Sequence, residues 1–213
     1  MKKYFVLIAT CLLGLTSCDN AVQQEQETTY PNEVIETIMT RRSVRQYNDE
    51  PISHEVMDKI LECGIHAPNG MNAQRWEVRV VESKKWIDDV TAAYKNSLTE
   101  DSPMAEQFKD PNFKNMFRNA PAVIFVAAEP SAYAGVDCGI LAENMMLAAH
   151  ELGLGTCCLG MPIPFMNSKQ GEPFLASLGL PEGYALQFAI AIGYADETPE
   201  AKPRDASKIE FIN

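Results

Sequence analysis

Arg41-Arg42-Ser43-Val44-Arg45 places three guanidinium groups and a hydroxyl within five positions of an acidic chain, 18 Lys+Arg against 29 Asp+Glu with a formal net charge of −11. Like charges that close repel unless an anion or carboxylates neutralise them, and the donor fork of arginine matches a phosphate well. Two readings follow: one half of a phosphate-binding site, or solvated cations at a helix C-terminus, where the macrodipole favours them. Lys202 and Arg204, far downstream, bring a second pair of cations close together and offer the other half of a cradle.

Between these lies Ala67-Pro68-Asn69-Gly70-Met71-Asn72-Ala73-Gln74. Pro and Asn-Gly mark a turn. Its side-chain amides (Asn69, Asn72, Gln74) either serve that turn or read the edge of a polar heterocycle. Gly160-Met161-Pro162-Ile163-Pro164 reads as a loop whose backbone groups are open to a ligand. Dinucleotide-binding glycine patterns, Walker loops, HExxH, GxSxG and internal repeats are absent from the sequence.

The elements that position these residues follow from periodicity and caps. Asn32 caps a helix to about Thr40 that delivers the arginines, with Val34, Ile35, Ile38 and Met39 on one face. Ser53 caps a second helix ending near Gly64, and Trp76–Val81 alternates as a strand. A helix around Trp86–Leu98 precedes a charged, Pro-interrupted excursion, residues 99–119, with Met104, Phe108, Phe113, Met116 and Phe117. Those side chains either line a pocket or lid or form a satellite of the core. Ala122–Ala128 is a continuous apolar run suited to a central strand. Asp137–Leu152 is a long helix, apolar around much of its circumference, closed by Gly153 and Gly155. A strand over Thr156–Leu159, a helix over about Phe165–Leu178 and a strand over Tyr184–Ile192 complete an α+β chain with a mixed central sheet flanked by helices.

With 213 residues and 46% hydrophobic content the chain is long enough for one sizeable domain. Net negative charge disfavours nucleic acid or a polybasic membrane patch as the main partner. At the N-terminus, Lys2 and Lys3 precede an apolar stretch from Tyr4 to Leu15, too short to span a bilayer comfortably, ending in Leu15-Thr16-Ser17-Cys18. This looks like a bacterial lipoprotein signal over residues 1–17 with lipid on Cys18. An ordinary secretory signal or a buried N-terminal helix is the alternative. Residues 18–30 read as a flexible polar tether, and residues 31–213 as the folded domain. Lipidation at Cys18 would anchor the domain to a bacterial membrane outside the cytoplasm, with no other membrane contact. Cys63, Cys138, Cys157 and Cys158 show no zinc-ligand spacing and serve as small buried hydrophobes or, in an oxidising compartment, a disulfide. On a strand, Cys157 and Cys158 face opposite sides.

Together these segments resemble the nitroreductase family of flavin-dependent oxidoreductases, over about Pro31 to Arg204. The resemblance rests on the Arg-Arg-Ser-Val-Arg run, the Ala67–Trp76 segment, Asn144 to Gly155 at the end of the long helix, and Ile192-Gly193-Tyr194 followed by Lys202-Pro203-Arg204, in that order. It implies an intertwined homodimer with two FMN sites, each built from both subunits. By position, Arg41, Lys202 and Arg204 would hold the phosphate, with Arg42 and Ser43 on phosphate and ribityl. Arg45 would stand near the N1/C2-carbonyl edge and Asn72 at the isoalloxazine edge. Pro68, Asn69 and Gly70 would approach from the partner subunit. Leu159, Gly160 and Met161 would cover one flavin face and supply a backbone contact near N5. Asn69-Gly70 replaces serines common in the family, and Arg75 stands where Pro is usual.

The implied activity is reduction of nitroaromatics, quinones or similar electron-poor small molecules by a ping-pong cycle, with NAD(P)H the usual donor. An extracytoplasmic location would make that donor scarce. The alternatives are a lipid-anchored flavin-binding protein without NAD(P)H turnover, or a specialised member such as a reductive dehalogenase whose specificity would lie in residues 99–119.

Overall fold

The computed structural model describes residues 30–212, and the expected signal, tether and lipidated Cys18 lie outside them. Ala122–Ala128 (β2) is buried at every position. It takes one of the two interior places in a four-stranded sheet ordered β1-β2-β4-β3, with β1 Trp76–Val81, β3 Leu154–Leu159 and β4 Ala185–Tyr194. All three strand pairings are antiparallel. The parallel component expected of a mixed sheet is confined to one isolated bridge, Ser43 to Thr156, on the outer edge of β3.

One sheet face is covered by α2 (His54–Ile65) and α4 (Ala134–Glu151). Ile60, Leu141 and Met145 pack there with Ile124, Val126, Ile190 and Ile192. Burying each such side chain contributes about 1.5–3 kcal/mol. The helices approach closely because Gly64 has no side chain: a Cβ there would lie 2.5 Å from Met145 Cγ. The other face carries α3 (Lys84–Ser97) and the 99–119 excursion, with Ile87, Val90, Met116 and Phe117 against Phe125. Phe108 stacks on Phe113 at 4.6 Å and on Tyr94 at 6.1 Å, so the excursion's aromatics are a satellite of the core.

Two boundaries differ from the sequence reading. Residues 160–164 do not stay a loop, because Pro162 opens α5 (Pro162–Met166) at a position where its missing N–H is harmless. The single helix expected over about Phe165–Leu178 breaks into α5 and α6 (Glu172–Ser177). The chain folds back so tightly that a Cβ on Gly171 would lie 2.1 Å from Phe165 O. Among the described residues Cys63, Cys138, Cys157 and Cys158 are free, and Cys157 is buried while Cys158 is exposed on the opposite side of β3. Among the described residues no helix is long and apolar enough to cross a membrane.

Candidate functional site

Asn32 Oδ1 accepts from Ile35 N (3.0 Å) and starts α1 (Glu33–Thr40), whose end is closed by Arg41 N donating to Thr37 O at 3.0 Å. The arginine run begins at that cap. Its backbone crosses the edge of β3, where Ser43 bridges Thr156 and Val44 N donates to Thr156 O (3.0 Å). Gly155 makes this approach possible, since a Cβ there would lie 2.7 Å from Val44 Cβ.

The three arginines do different things. Arg41 places Nε 3.3 Å from Glu143 Oε1 on α4, a half-exposed pair that leaves its terminal nitrogens free of carboxylate. Arg42 turns back on its own helix, donating from Nη1 to Met39 O (2.7 Å) and Arg41 O (2.8 Å), so here it caps the C-terminus of α1. Arg45 donates its backbone N–H to the Glu197 carboxylate and its Nη1 to Ser43 O at 3.0 Å. Thr40 Oγ1 meets His150 Nε2 at 2.9 Å. Burial, together with Arg41 and Arg42, lowers the His150 pKa below its ordinary 6.5, which favours the neutral ring.

The C-terminal cations leave the sheet beside this run. Asp196 N donates to Gln46 O (2.9 Å), Tyr47 bridges Ala195, and Asn48 N donates to Tyr194 O (3.0 Å). Lys202 and Arg204 follow in exposed chain, with Arg204 Nη1 donating to Lys202 O (3.1 Å) and no contact to Arg41. At the other end of β3, Leu159 is buried, Met161 is half-buried, and a Cβ on Gly160 would meet nothing within 4 Å. Gly160 therefore presents open backbone at the end of the strand that the arginines border.

The amide turn sits elsewhere. Gly70 N donates to Asp137 Oδ1 (3.2 Å) in the first turn of α4, and Asn69 Oδ1 accepts from Gln74 N (2.9 Å). Met71, Asn72 and Gln74 adopt left-handed φ of 56°, 52° and 49°. Glu143, which holds Arg41, lies six residues along α4 from Asp137, about 9 Å of helix rise. Within one chain the structure thus joins Arg41–Arg45 to β3 and to the root of the C-terminal tail, but not to Pro68–Asn72. Sequence reasoning missed Glu143, Glu197 and Asp137, the carboxylates that orient these segments. Only Asp137 carried a signal, as an acid near a helix start.

The nitroreductase family model matches residues 38–194. A NADPH-flavin oxidoreductase of Vibrio harveyi is 33% identical over 174 residues, covering 81% of this chain and 70% of its own length. A crystal structure of a nitroreductase with bound FMN from Bacteroides fragilis superposes with a TM-score of 0.76 at 29% identity, over 85% of this chain and 100% of that one. A second nitroreductase with bound FMN, from Desulfitobacterium hafniense, gives 0.75 at 34% identity over 85% and 99%. The chain belongs to the nitroreductase family.

Proposed function

We propose that this chain is an FMN-dependent NAD(P)H oxidoreductase that reduces nitroaromatic, quinone or similar electron-poor small molecules in a ping-pong cycle. The observation that carries the reading is a set of cations without full carboxylate partners, in the run on the β3 edge and in the C-terminal tail. Arg41 gives only Nε to Glu143, Lys202 and Arg204 make no ion pair among the described residues, and Gly160 at the far end of β3 leaves its backbone open. A phosphate monoester brings nearly two negative charges and three acceptor oxygens, which suits such a set. Arg41, Lys202 and Arg204 bind the phosphate in this reading, and Ser43 follows along the ribityl chain. Release of Arg42 from the end of α1 would add a fourth cation. Arg45 lies toward the N1/C2-carbonyl edge, and Leu159, Gly160 and Met161 back the ring. When bound, FMN supplies hydride acceptance and delivery at N5.

The remaining groups, Pro68, Asn69, Gly70 and Asn72, come from a second copy. Two observations support a homodimer. The amide turn is displaced from the arginines along α4, as described above. The apolar face of α1 is also uncovered, with Val34 68%, Ile38 53% and Met39 53% exposed, and Phe211 in the tail 86% exposed. Such a patch on a single chain marks a protein interface. The N-terminal pattern ending at Cys18 supports a lipid-anchored, extracytoplasmic enzyme. Cys18→Ala then releases the protein from membranes, and unchanged fractionation would contradict the anchor.

The functional test is a spectrum. Purified protein should be yellow, bleach anaerobically with NADH or NADPH, and recolour with a nitroaromatic or quinone. Protein that stays colourless with added FMN would overturn the flavin reading.

A further inference from the structure

The segment ahead of β2 ends in a turn held at many points. Asn119 Oδ1 accepts from Lys114 N (2.7 Å) and Asn115 N (3.1 Å), and Asn119 Nδ2 donates to Asn112 O (3.0 Å). Asn115 Nδ2 donates to Ala120 O (3.1 Å). Met116 and Phe117 anchor the turn in the core, Phe117 edge-on to Phe125 at 5.8 Å. What this scaffold presents is Arg118. Its φ is 59°, followed by 65° at Asn119. Among the described residues, non-glycine positive φ occurs only here and at Met71, Asn72 and Gln74 in the amide turn. Asparagine accepts that conformation readily, a long arginine does not, and such strain persists where the surroundings enforce it.

Arg118 Nε is buried without a hydrogen-bond partner, the one such side-chain atom among the described residues. Native proteins rarely leave a buried donor unsatisfied, so the atom calls for an acceptor that the chain does not supply. The end of the turn approaches the chain that follows the arginine run. A Cβ on Gly193 would meet Pro121 Cδ at 2.7 Å and Tyr47 Cδ1 at 3.0 Å, so Pro121, three residues after Arg118, and Tyr47, two after Arg45, converge on Gly193. Tyr47 Oη donates to Val44 O at 2.6 Å, fixing that junction. The charge of Arg118 is felt there too. Burial pushes the Tyr47 and Cys157 groups up, and Arg45 and Arg118 both act against it, with Glu197 the nearby acid.

We propose that Arg118 is a second cation beside Arg45 at the pyrimidine end of the bound flavin, donating to an acceptor on that edge and favouring the two-electron-reduced state. This rests on the flavin reading and adds a residue from the 99–119 excursion to it. Reduction places negative charge near N1, and a fixed cation in a partly buried site stabilises that charge differentially. In this role the excursion tunes the cofactor through one arginine instead of forming a lid.

The test is the midpoint potential of FMN bound to the full chain, with FMN affinity measured separately by ultrafiltration. Arg118→Gln should retain FMN and lose about tenfold of its preference for reduced flavin, a shift of about 30 mV downward for a two-electron couple. Arg118→Lys should restore most of it. An Arg118→Gln potential equal to the parent's overturns the proposal, as does a lysine variant shifted as far as the glutamine one. If the glutamine variant does not fold, Arg118→Met takes its place. Failure of both neutral variants to fold would make Arg118 a structural residue and overturn the proposal as well. Failure of the parent to bind FMN would instead remove the flavin reading on which it stands.

Discussion

The arginine run and the amide turn, proposed to share one cofactor, are held differently by the fold. Residues 41–48 are tied to the sheet by the Ser43–Thr156 bridge, the Tyr47–Ala195 bridge and the Glu197 carboxylate. Residues 68–74 hang from α4 by one hydrogen bond, Gly70 N to Asp137, and hold three non-glycine residues at positive φ. A half-site with a rigid seat and a half-site held in an unfavourable backbone form are what a site shared between two copies requires. In the proposed dimer, contacts from the second copy would stabilise that strain.

The largest effect should come from the proposed interface. Ile38→Asp places a charge in the exposed apolar face of α1. It should convert a dimer to monomers in sedimentation velocity and abolish FMN retention at 450 nm. A monomer that keeps its flavin would separate the two halves from any dependence on a second copy. Next comes the cationic half itself. Arg41→Ala and Arg204→Ala should each weaken FMN binding by about 1.5–3 kcal/mol, the worth of a charge-assisted contact, measured by fluorescence titration. Equal affinity in the Arg204 variant would detach the tail from the site.

The seat of the run can be tested without any ligand. Gly155→Ala drives a Cβ into Val44 at 2.7 Å and should destabilise the fold by about 1–3 kcal/mol in denaturant titration. The smallest effect concerns pH. His150, near Thr40, has a pKa lowered from 6.5 by burial and by Arg41 and Arg42. The unfolded chain therefore takes up this proton first as pH falls. The stability associated with the neutral ring is complete above about 6.5 and declines below it. His150→Gln should flatten stability against pH just below 6.5, and an unchanged slope would show that this ring does not report on the α1–α4 junction.

Much of this was legible in the sequence where the signal is local. The Asn32 and Ser53 caps, the alternation of Trp76–Val81 and the unbroken Ala122–Ala128 run gave the right elements, because caps and periodicity act within a few residues. The all-antiparallel pairing was not legible, since strand order depends on contacts distant in sequence, and the break at Gly171 depends on a close approach to Phe165 O. At the site, residue types pointed to the cations. Their carboxylate partners Glu143 and Glu197 are ordinary acids until folding brings them to Arg41 and Arg45. Arg118 had no signal, because its isolation is a property of the folded environment.

In the proposed dimer each site joins the arginines of one copy to the amide turn of the other. Mixed dimers test it directly. One subunit carries Arg41→Ala with an intact amide turn, and the other carries Gly70→Leu with intact arginines. Within one chain a Cβ at Gly70 meets nothing nearer than Asp137 Oδ2 at 3.7 Å, so the local fold accommodates the change. Tight FMN should appear at one per mixed dimer, because pairing in trans leaves one site wholly intact and concentrates both defects in the other. No tightly bound FMN in the mixed dimer, with the parent dimer fully loaded, would place both halves in the same chain and contradict the account.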